Sequence, residues 1–384
     1  MANKVLFCAT VDYHFKAFHL PYMKWFKEQG WEVHVAAAGE IELPYTDQKY
    51  TIPFQRSPYS SSNAAAYKQV KALIEDNNYG IIHCHTPIGG LIARLAARKN
   101  RKLGTKIIYT AHGFHFCKGA PLLNWLLYYP IEKYLSRHTD CLITINVEDY
   151  NLALKHNFKA GIIKQVHGVG VDTDLFKPVT ENKKLEIRKS FGYQADDFLL
   201  FYTAEFNRNK NQQFLLQVLA LLEDELPTAK LIFAGEGPLL EKSRELAEEL
   251  GISEKVNFLG FRKDINQIAP MCDIAVASSF REGLPVNVLE AMACGLPVVA
   301  TDNRGHRELV LNDHNGWLIT DNNVATFTEK VIELAANKEM IDIFGRNGRN
   351  LVLTTYSTTK VLAKKSLIYT TYMKERNELE WAIH

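Results

Sequence analysis

The sequence predicts an α/β protein of two doubly wound, Rossmann-like domains, and three observations carry that prediction. Short β-branched runs alternate with helical patterns from one end of the chain to the other, the mark of parallel α/β layers. The alternation pauses once, at Gly168-Val169-Gly170-Val171-Asp172 and Lys177-Pro178, and then starts afresh. A length of 384 residues suffices for two cores of that kind.

In the first half, strands are expected at residues 5–9, 32–36, 80–83, 106–110 and 141–145. Helical patterns cover 18–28, 64–76, 88–99, 122–136 and 147–157 between them. After the pause, Glu181-Asn182-Lys183-Lys184 begins a polar helical stretch. Strands are then expected at 198–202, 230–234, 256–259, 274–277 and 297–300. Residues 322–372 read as helical except near Gly345 and Gly348. The expected domains are 1–178 and 179–356, with 357–384 a C-terminal helix packing back on the first domain. Ligands of open parallel sheets bind beyond the carboxyl ends of the strands. Two such domains are expected to face a cleft, with one ligand for each.

Composition excludes other classes. With 47% hydrophobic and 23% charged residues the chain is too apolar for disorder. No apolar run approaches the roughly 18 residues of a membrane span. Val5-Leu6-Phe7-Cys8-Ala9, followed at once by Asp12 and His14, reads as a first strand and not a leader. The cysteines Cys8, Cys84, Cys117, Cys141, Cys272 and Cys294 form no CxxC pair and sit mostly in apolar segments, as buried thiols of a reducing cytoplasm do. A net charge of +2 argues against nucleic acid, yet it hides an asymmetry. Residues 1–178 hold 21 basic and 14 acidic side chains (+7), the remainder 24 and 29 (−5), so the halves are expected to meet different partners.

The most informative segment runs from Arg281-Glu282-Gly283-Leu284-Pro285 through Glu290-Ala291-Met292-Ala293-Cys294-Gly295. It reads as a strand end, a Gly-Leu-Pro loop and a helix whose N-terminus offers free N–H groups and partial positive charge to an anion. Glu282 and Glu290, about two helical turns apart, can approach one ligand from neighbouring directions. The plainer alternative is a helix-cap carboxylate and a solvated helical Glu.

This string resembles the Glu-x7-Glu signature of retaining glycosyltransferases of family 4, which have the two-domain GT-B fold. Further matching pieces are Val169-Gly170-Val171-Asp172, Ala234-Gly235-Glu236-Gly237-Pro238, Phe258-Leu259-Gly260-Phe261 and Arg304-Gly305-His306-Arg307-Glu308. The family carries an Arg and a Lys after the first strand of its second domain, holding the donor diphosphate. Lys210 falls on the Lys position, whereas Glu205 stands at the Arg position, with Arg208 a candidate to supply the missing cation. The resemblance implies sugar transfer from a nucleotide sugar, UDP-linked in expectation, without a metal or other cofactor. Lys210, Arg208 and the loop at Gly283 and Leu284 would hold the diphosphate, Glu290 the ribose, and Glu282 with His112 the sugar. Gly235, Gly260 and Phe261 complete the donor site. No protein nucleophile is evident, and domain closure would exclude water.

Two strand ends in the first half carry histidines, His83-Cys84-His85 and Thr110-Ala111-His112. A metal reading combining His83, His85, His112 and Cys117 has loose spacing. Strand-end histidines facing a polar cleft explain the pattern more simply, and no metal site is expected. The resemblance places His112 at the transferred sugar, with His14, His19 and His85 on the acceptor side. The glycine pair usual in the first loop is replaced by Val11-Asp12-Tyr13-His14-Phe15. That motif and His112-Gly113-Phe114-His115-Phe116 look like enzymes of bacterial exopolysaccharide and capsule assembly, which elongate a sugar on a polyprenyl diphosphate. The apolar run Pro121-Leu122-Leu123-Asn124-Trp125-Leu126-Leu127-Tyr128-Tyr129-Pro130 and the cluster Arg94, Arg98, Lys99, Arg101 and Lys102 would suit such an acceptor at an anionic membrane surface. A core helix and a solvated helix end are the alternatives. The resulting expectation is a cytoplasmic enzyme held peripherally at the inner membrane face, with oligomers open. A nucleotide-sugar 2-epimerase of the same fold and a non-catalytic subunit of a polysaccharide complex are the rival functions.

Overall fold

Runs of Val, Ile, Leu and Phe form interior strands because a parallel sheet covered on both faces buries every side chain. The computed structural model describes residues 3–383, with side chains through residue 375. Seven strands, β1 (Lys4–Val11), β2 (Glu32–Ala38), β3 (Gln48–Thr51), β4 (Ile81–His85), β5 (Lys106–Ala111), β6 (Cys141–Thr144) and β7 (Ile162–Gln165), make one parallel sheet in the order β3-β2-β1-β4-β5-β6-β7. Six more, β8 (Phe198–Thr203), β9 (Ala229–Ala234), β10 (Val256–Phe258), β11 (Ile274–Ala277), β12 (Val298–Thr301) and β13 (Gly316–Ile319), make a second in the order β10-β9-β8-β11-β12-β13. Each order reverses at its first strand. The loops after β1 and β4, and after β8 and β11, therefore flank the crevice where such sheets bind ligands.

The strands expected from sequence all form, and β3, β7 and β13 join them at the sheet edges. β3 (Gln48-Lys49-Tyr50-Thr51) and β7 (Ile162-Ile163-Lys164-Gln165) are half-exposed, so neither needs the apolar run that marks an interior strand.

The chain divides into two units, residues 1–170 with 361–384, and residues 171–360. The division falls before the Lys177-Pro178 pause because the segment after Gly170 is tied into the second unit. Val171 N–H donates to the Tyr356 carbonyl at 3.0 Å, and Thr358 N–H returns to the Val171 carbonyl at 2.9 Å. The Arg349 guanidinium holds the carbonyls of Phe176 (2.9 Å) and Thr173 (3.2 Å). From Val361 onward the last helix, Thr358–Ile383, belongs to the first unit, where Val361 and Tyr369 are fully buried among Phe7, Phe26 and Val33. Residues 1, 2 and 384 of the expected spans lie outside the described residues. All six cysteines are free and buried, and no described helix is long and apolar enough to cross a membrane.

Candidate functional site

In the second unit the site is built from the loops that follow β8, β11 and β12. Lys210 ends the first of these. Its carbonyl accepts from Tyr202 on β8 (3.2 Å) and from Ser278 Oγ after β11 (2.8 Å). Phe280 N–H donates to the Asn209 carbonyl at 2.8 Å, while Asn209 Nδ2 donates to the Arg281 carbonyl at 2.9 Å. With both backbones pinned, Lys210 Nζ meets Glu282 Oε1 at 2.6 Å, and both side chains are largely buried.

Glu282 is held from its other side as well. Arg304 Nε donates to the Glu282 carbonyl at 3.0 Å. Gly305 lies so close that a Cβ there would stand 2.5 Å from the Glu282 Cβ. Asn303 caps the turn Arg304–Arg307, its Oδ1 accepting from Gly305 and His306 N–H, while its Nδ2 donates to the Ser279 carbonyl at 2.8 Å. Sequence reasoning quoted Arg304 and Gly305 in a motif but gave them no role. Their contribution is to the backbone of Glu282, which spacing alone does not reveal.

The helix Val286–Ala293 begins after Gly283, Leu284 and Pro285, and Asn287 Nδ2 ties it to the Thr203 carbonyl of β8 at 2.8 Å. Glu290 lies in its second turn, and no side-chain partner is assigned to it among the described residues. Burial pushes its carboxyl up to about 7. Such a group accepts hydroxyl donors without first leaving an ion pair. Gly235 N–H donates to the Gly260 carbonyl at 2.8 Å, joining the ends of β9 and β10. At φ +152° the Gly235 backbone lies against the Ala204 carbonyl, leaving no room for a Cβ. Phe261 follows with its ring 57% exposed, available to a flat ligand. Glu205 and Arg208 are both exposed and do not pair with each other. Glu205 accepts from Asn207 Nδ2 at 3.1 Å.

In the first unit the crevice end of the sheet carries five histidines. His83 and His85 share one face of β4, as the strand period requires, while Cys84 turns its thiol toward the Ile108 carbonyl. His83 and His85 are completely buried and face no open cleft. His83 has Thr110 Oγ1 on one ring nitrogen (2.8 Å) and Tyr369 OH on the other (2.9 Å). One nitrogen from each of His14, His19, His85 and His112 lies within 4.8 Å of the others. His14 and His19 thus stand where a set with His83 and Cys117 was considered. Burial holds His14 at about 4 and pushes His19, His83, His85 and His112 well below the ordinary imidazole value, so all five are neutral at physiological pH. Lys365, from the last helix, is buried over the Tyr22 ring at 4.3 Å without a hydrogen-bond partner, and burial brings its amine down to about 7.

His14 and His115 line a pocket of about 380 Å³ with Thr10, Arg56, Thr86 and Tyr128. Thr86 is held there at φ +61°, a strained conformation for a β-branched residue, by hydrogen bonds to Thr10. The loop after β1, expected to touch an acceptor, is the short helix Tyr13–Phe18. The basic cluster at residues 94–102 is smaller than the sequence suggested. Arg94 is buried, paired with Glu132 at 2.9 Å and stacked on Tyr109, and Arg101 pairs with Asp140, which leaves Arg98, Lys99 and Lys102 exposed. Nearby in sequence, Leu122, Leu123 and Leu126 are 68–75% exposed on the helix Leu122–Ser136.

Similarity to known proteins shows the family and the fold. Residues 183–351 match the family described as glycosyl transferases group 1, and residues 4–146 match the glycosyl transferase 4-like family. Over 373 residues the chain is 51% identical to a protein named as a glycosyltransferase, EpsD of Bacillus subtilis (strain 168), covering 97% of this chain and 98% of that one. It is 26% identical to the Escherichia coli UDP-Gal:alpha-D-GlcNAc-diphosphoundecaprenol alpha-1,3-galactosyltransferase, over 81% and 82% of the two chains. Anabaena HepE, solved in complex with UDP and glucose, superposes with a TM-score of 0.79 at 18% identity, over 96% of this chain and all of that one. That likeness shows the fold, two Rossmann-like units of the GT-B class.

Proposed function

The chain belongs to the group 1 glycosyltransferases, and from that premise we propose that it moves a sugar, with retention of anomeric configuration, from a UDP-sugar to a polyprenyl-diphosphate-linked saccharide. The product would serve exopolysaccharide or capsule assembly. The observation that carries the donor half of this reading is the Lys210–Glu282 contact at the crevice of the second sheet. An anionic diphosphate competes with Glu282 for the Lys210 ammonium, so donor binding releases that carboxylate toward the sugar. Glu290 accepts the ribose hydroxyls. Arg208, exposed on the same loop as Lys210, supplies a second cation in place of the Arg that Glu205 replaces. The diphosphate leaving group is stabilised by these charges and by the N-terminus of Val286–Ala293, without a bridging metal. In the first unit His112 is assigned to the sugar, and the pocket at His14 to the acceptor.

The E. coli relative, named for a diphosphoundecaprenol-linked acceptor, supports a lipid-linked acceptor here. A lipid acceptor also accounts for Leu122, Leu123 and Leu126 in solvent, close in sequence to Lys118 and Lys133, as a peripheral contact with the inner membrane face.

Purified protein incubated with a panel of nucleotide sugars and a polyprenyl-diphosphate saccharide analogue tests the reading. Retained-configuration transfer should require both substrates. Turnover of donor alone into an epimer, or no turnover with any donor, overturns it. Lys210→Ala should lower kcat/KM by roughly 10²–10³-fold, the loss typical of one preorganised charge on a leaving group.

A further inference from the structure

We propose that His14, His19, His85 and His112 form a binding site in the first unit for one divalent transition-metal cation of the zinc class. The contrast with His83 is the starting point. Both of its ring nitrogens have protein partners, Thr110 and Tyr369. The other four turn on one another, with His14 Nε2 3.0 Å from His19 Nε2 and His85 Nδ1 3.2 Å from His112 Nε2. His19 Nδ1 and His85 Nε2 are buried with no hydrogen-bond partner. These are the second nitrogens of rings whose first nitrogens face the cluster, so the approach of the four facing nitrogens, and not these two atoms, marks the site.

Size decides what fills it. Four nitrogens about 2.0–2.1 Å from a tetrahedral zinc stand roughly 3.3 Å apart. The candidate atoms span up to 4.8 Å, so small side-chain shifts complete the geometry. The four imidazoles present ring lone pairs, the ligands a transition metal takes, and bring no fixed positive charge of their own for a phosphate or carboxylate. Imidazoles without a carboxylate favour zinc, copper or nickel over magnesium and calcium.

The four ligands come from different places in the chain. His14 lies in Tyr13–Phe18, His19 precedes Leu20–Glu28, His85 ends β4 and His112 follows β5. One cation therefore ties together the loops that border the crevice. The pocket at His14 gives it an entry path. Lys365 is the positive group the cation must tolerate, and its burial already disfavours that charge. His112 would bind through the Nε2 that faces His85, leaving its second nitrogen for substrate. This cation belongs to the first unit, and the donor diphosphate at Lys210 does not need it.

The test uses full-length protein made without a histidine tag in zinc-supplemented medium and desalted over a mild chelator. Elemental analysis should find about one zinc per chain, and cobalt exchange should give the intense visible bands of a tetrahedral site. His19→Asn and His85→Gln should each lose the metal while Trp25, Trp31 and Trp125 of the same unit keep their folded emission, which separates loss of a ligand from loss of fold. Wild-type protein holding less than about a tenth of an equivalent overturns the proposal, as does full metal content in both variants.

Discussion

At Glu290 a buried carboxyl raised to about 7 changes charge across the neutral range. A ribose hydroxyl donates more strongly to a carboxylate than to a neutral acid. UDP affinity is therefore expected to rise as pH climbs through about 7, and Glu290→Gln should flatten that slope. Titration of the UDP dissociation constant across neutrality checks it, and a flat wild-type profile contradicts it. The stability sign is opposite. A folded carboxyl that keeps its proton longer than the unfolded chain becomes a cost as pH rises from the ordinary 4.5 through about 7, so Glu290→Gln should stabilise the protein on the alkaline side. Gly305 works by close approach instead. Gly305→Ala sets a Cβ 2.5 Å from that of Glu282 and displaces the carboxylate from Lys210. A displacement of about 1 Å costs roughly 10²-fold in kcat/KM, measured beside an unchanged Tm to exclude unfolding. Lys210, Glu282 and Glu290 were singled out through the family resemblance, since spacing alone left a helix cap and a solvated Glu as the plainer reading; the contact of Lys210 with Glu282 is the fold's addition. Arg304 and Gly305 act on backbone, and the neutral, enclosed state of His19 and His85 depends on their approach to each other and on Lys365 beside His19, contacts that only the fold makes.

The helix Leu122–Ser136 shows why an element can be legible while its environment is not. Its apolar residues run nearly all the way round, so periodicity predicts a helix without choosing an inward face. Trp125, Tyr128 and Tyr129 pack on the core of the first sheet, whereas Leu122, Leu123 and Leu126 remain exposed. An apolar face of that size beside lysines fits a lipid surface. The double variant Leu123→Ser, Leu126→Ser should lose co-sedimentation with anionic vesicles at low salt while keeping UDP affinity. Equal sedimentation of variant and wild type removes the membrane contact. Edge strands β3 and β7 escaped the sequence for the converse reason, since one open side relaxes the demand for apolar residues.

Over the whole molecule, the charge asymmetry sharpens when it is counted by the units of the structure. Residues 1–170 with 361–384 hold 24 basic and 15 acidic side chains (+9), and residues 171–360 hold 21 and 28 (−7). The acidic unit is the one proposed to bind a diphosphate, so local cations such as Lys210 must outweigh the net field, as close charges in a partly buried site do. The basic unit takes its last core residues from the far end of the chain. Tyr369 packs on Phe26 and Trp25 and donates to or accepts from His83 at 2.9 Å, which makes the first unit depend on a helix that follows the second in sequence. Tyr369→Ala should therefore cost about 3–5 kcal/mol in the first unit alone, the range for emptying a buried aromatic site. Tyr369→Phe removes only the hydroxyl and should cost about 1 kcal/mol. Urea unfolding followed by tryptophan emission in a Trp317→Phe background, where every remaining tryptophan belongs to the first unit, should move to lower denaturant in the order Phe then Ala. UDP affinity under native conditions should not move, because each unit carries its own sheet and its own core. A loss of UDP binding in step with the tryptophan signal would instead show that the two units share one stability.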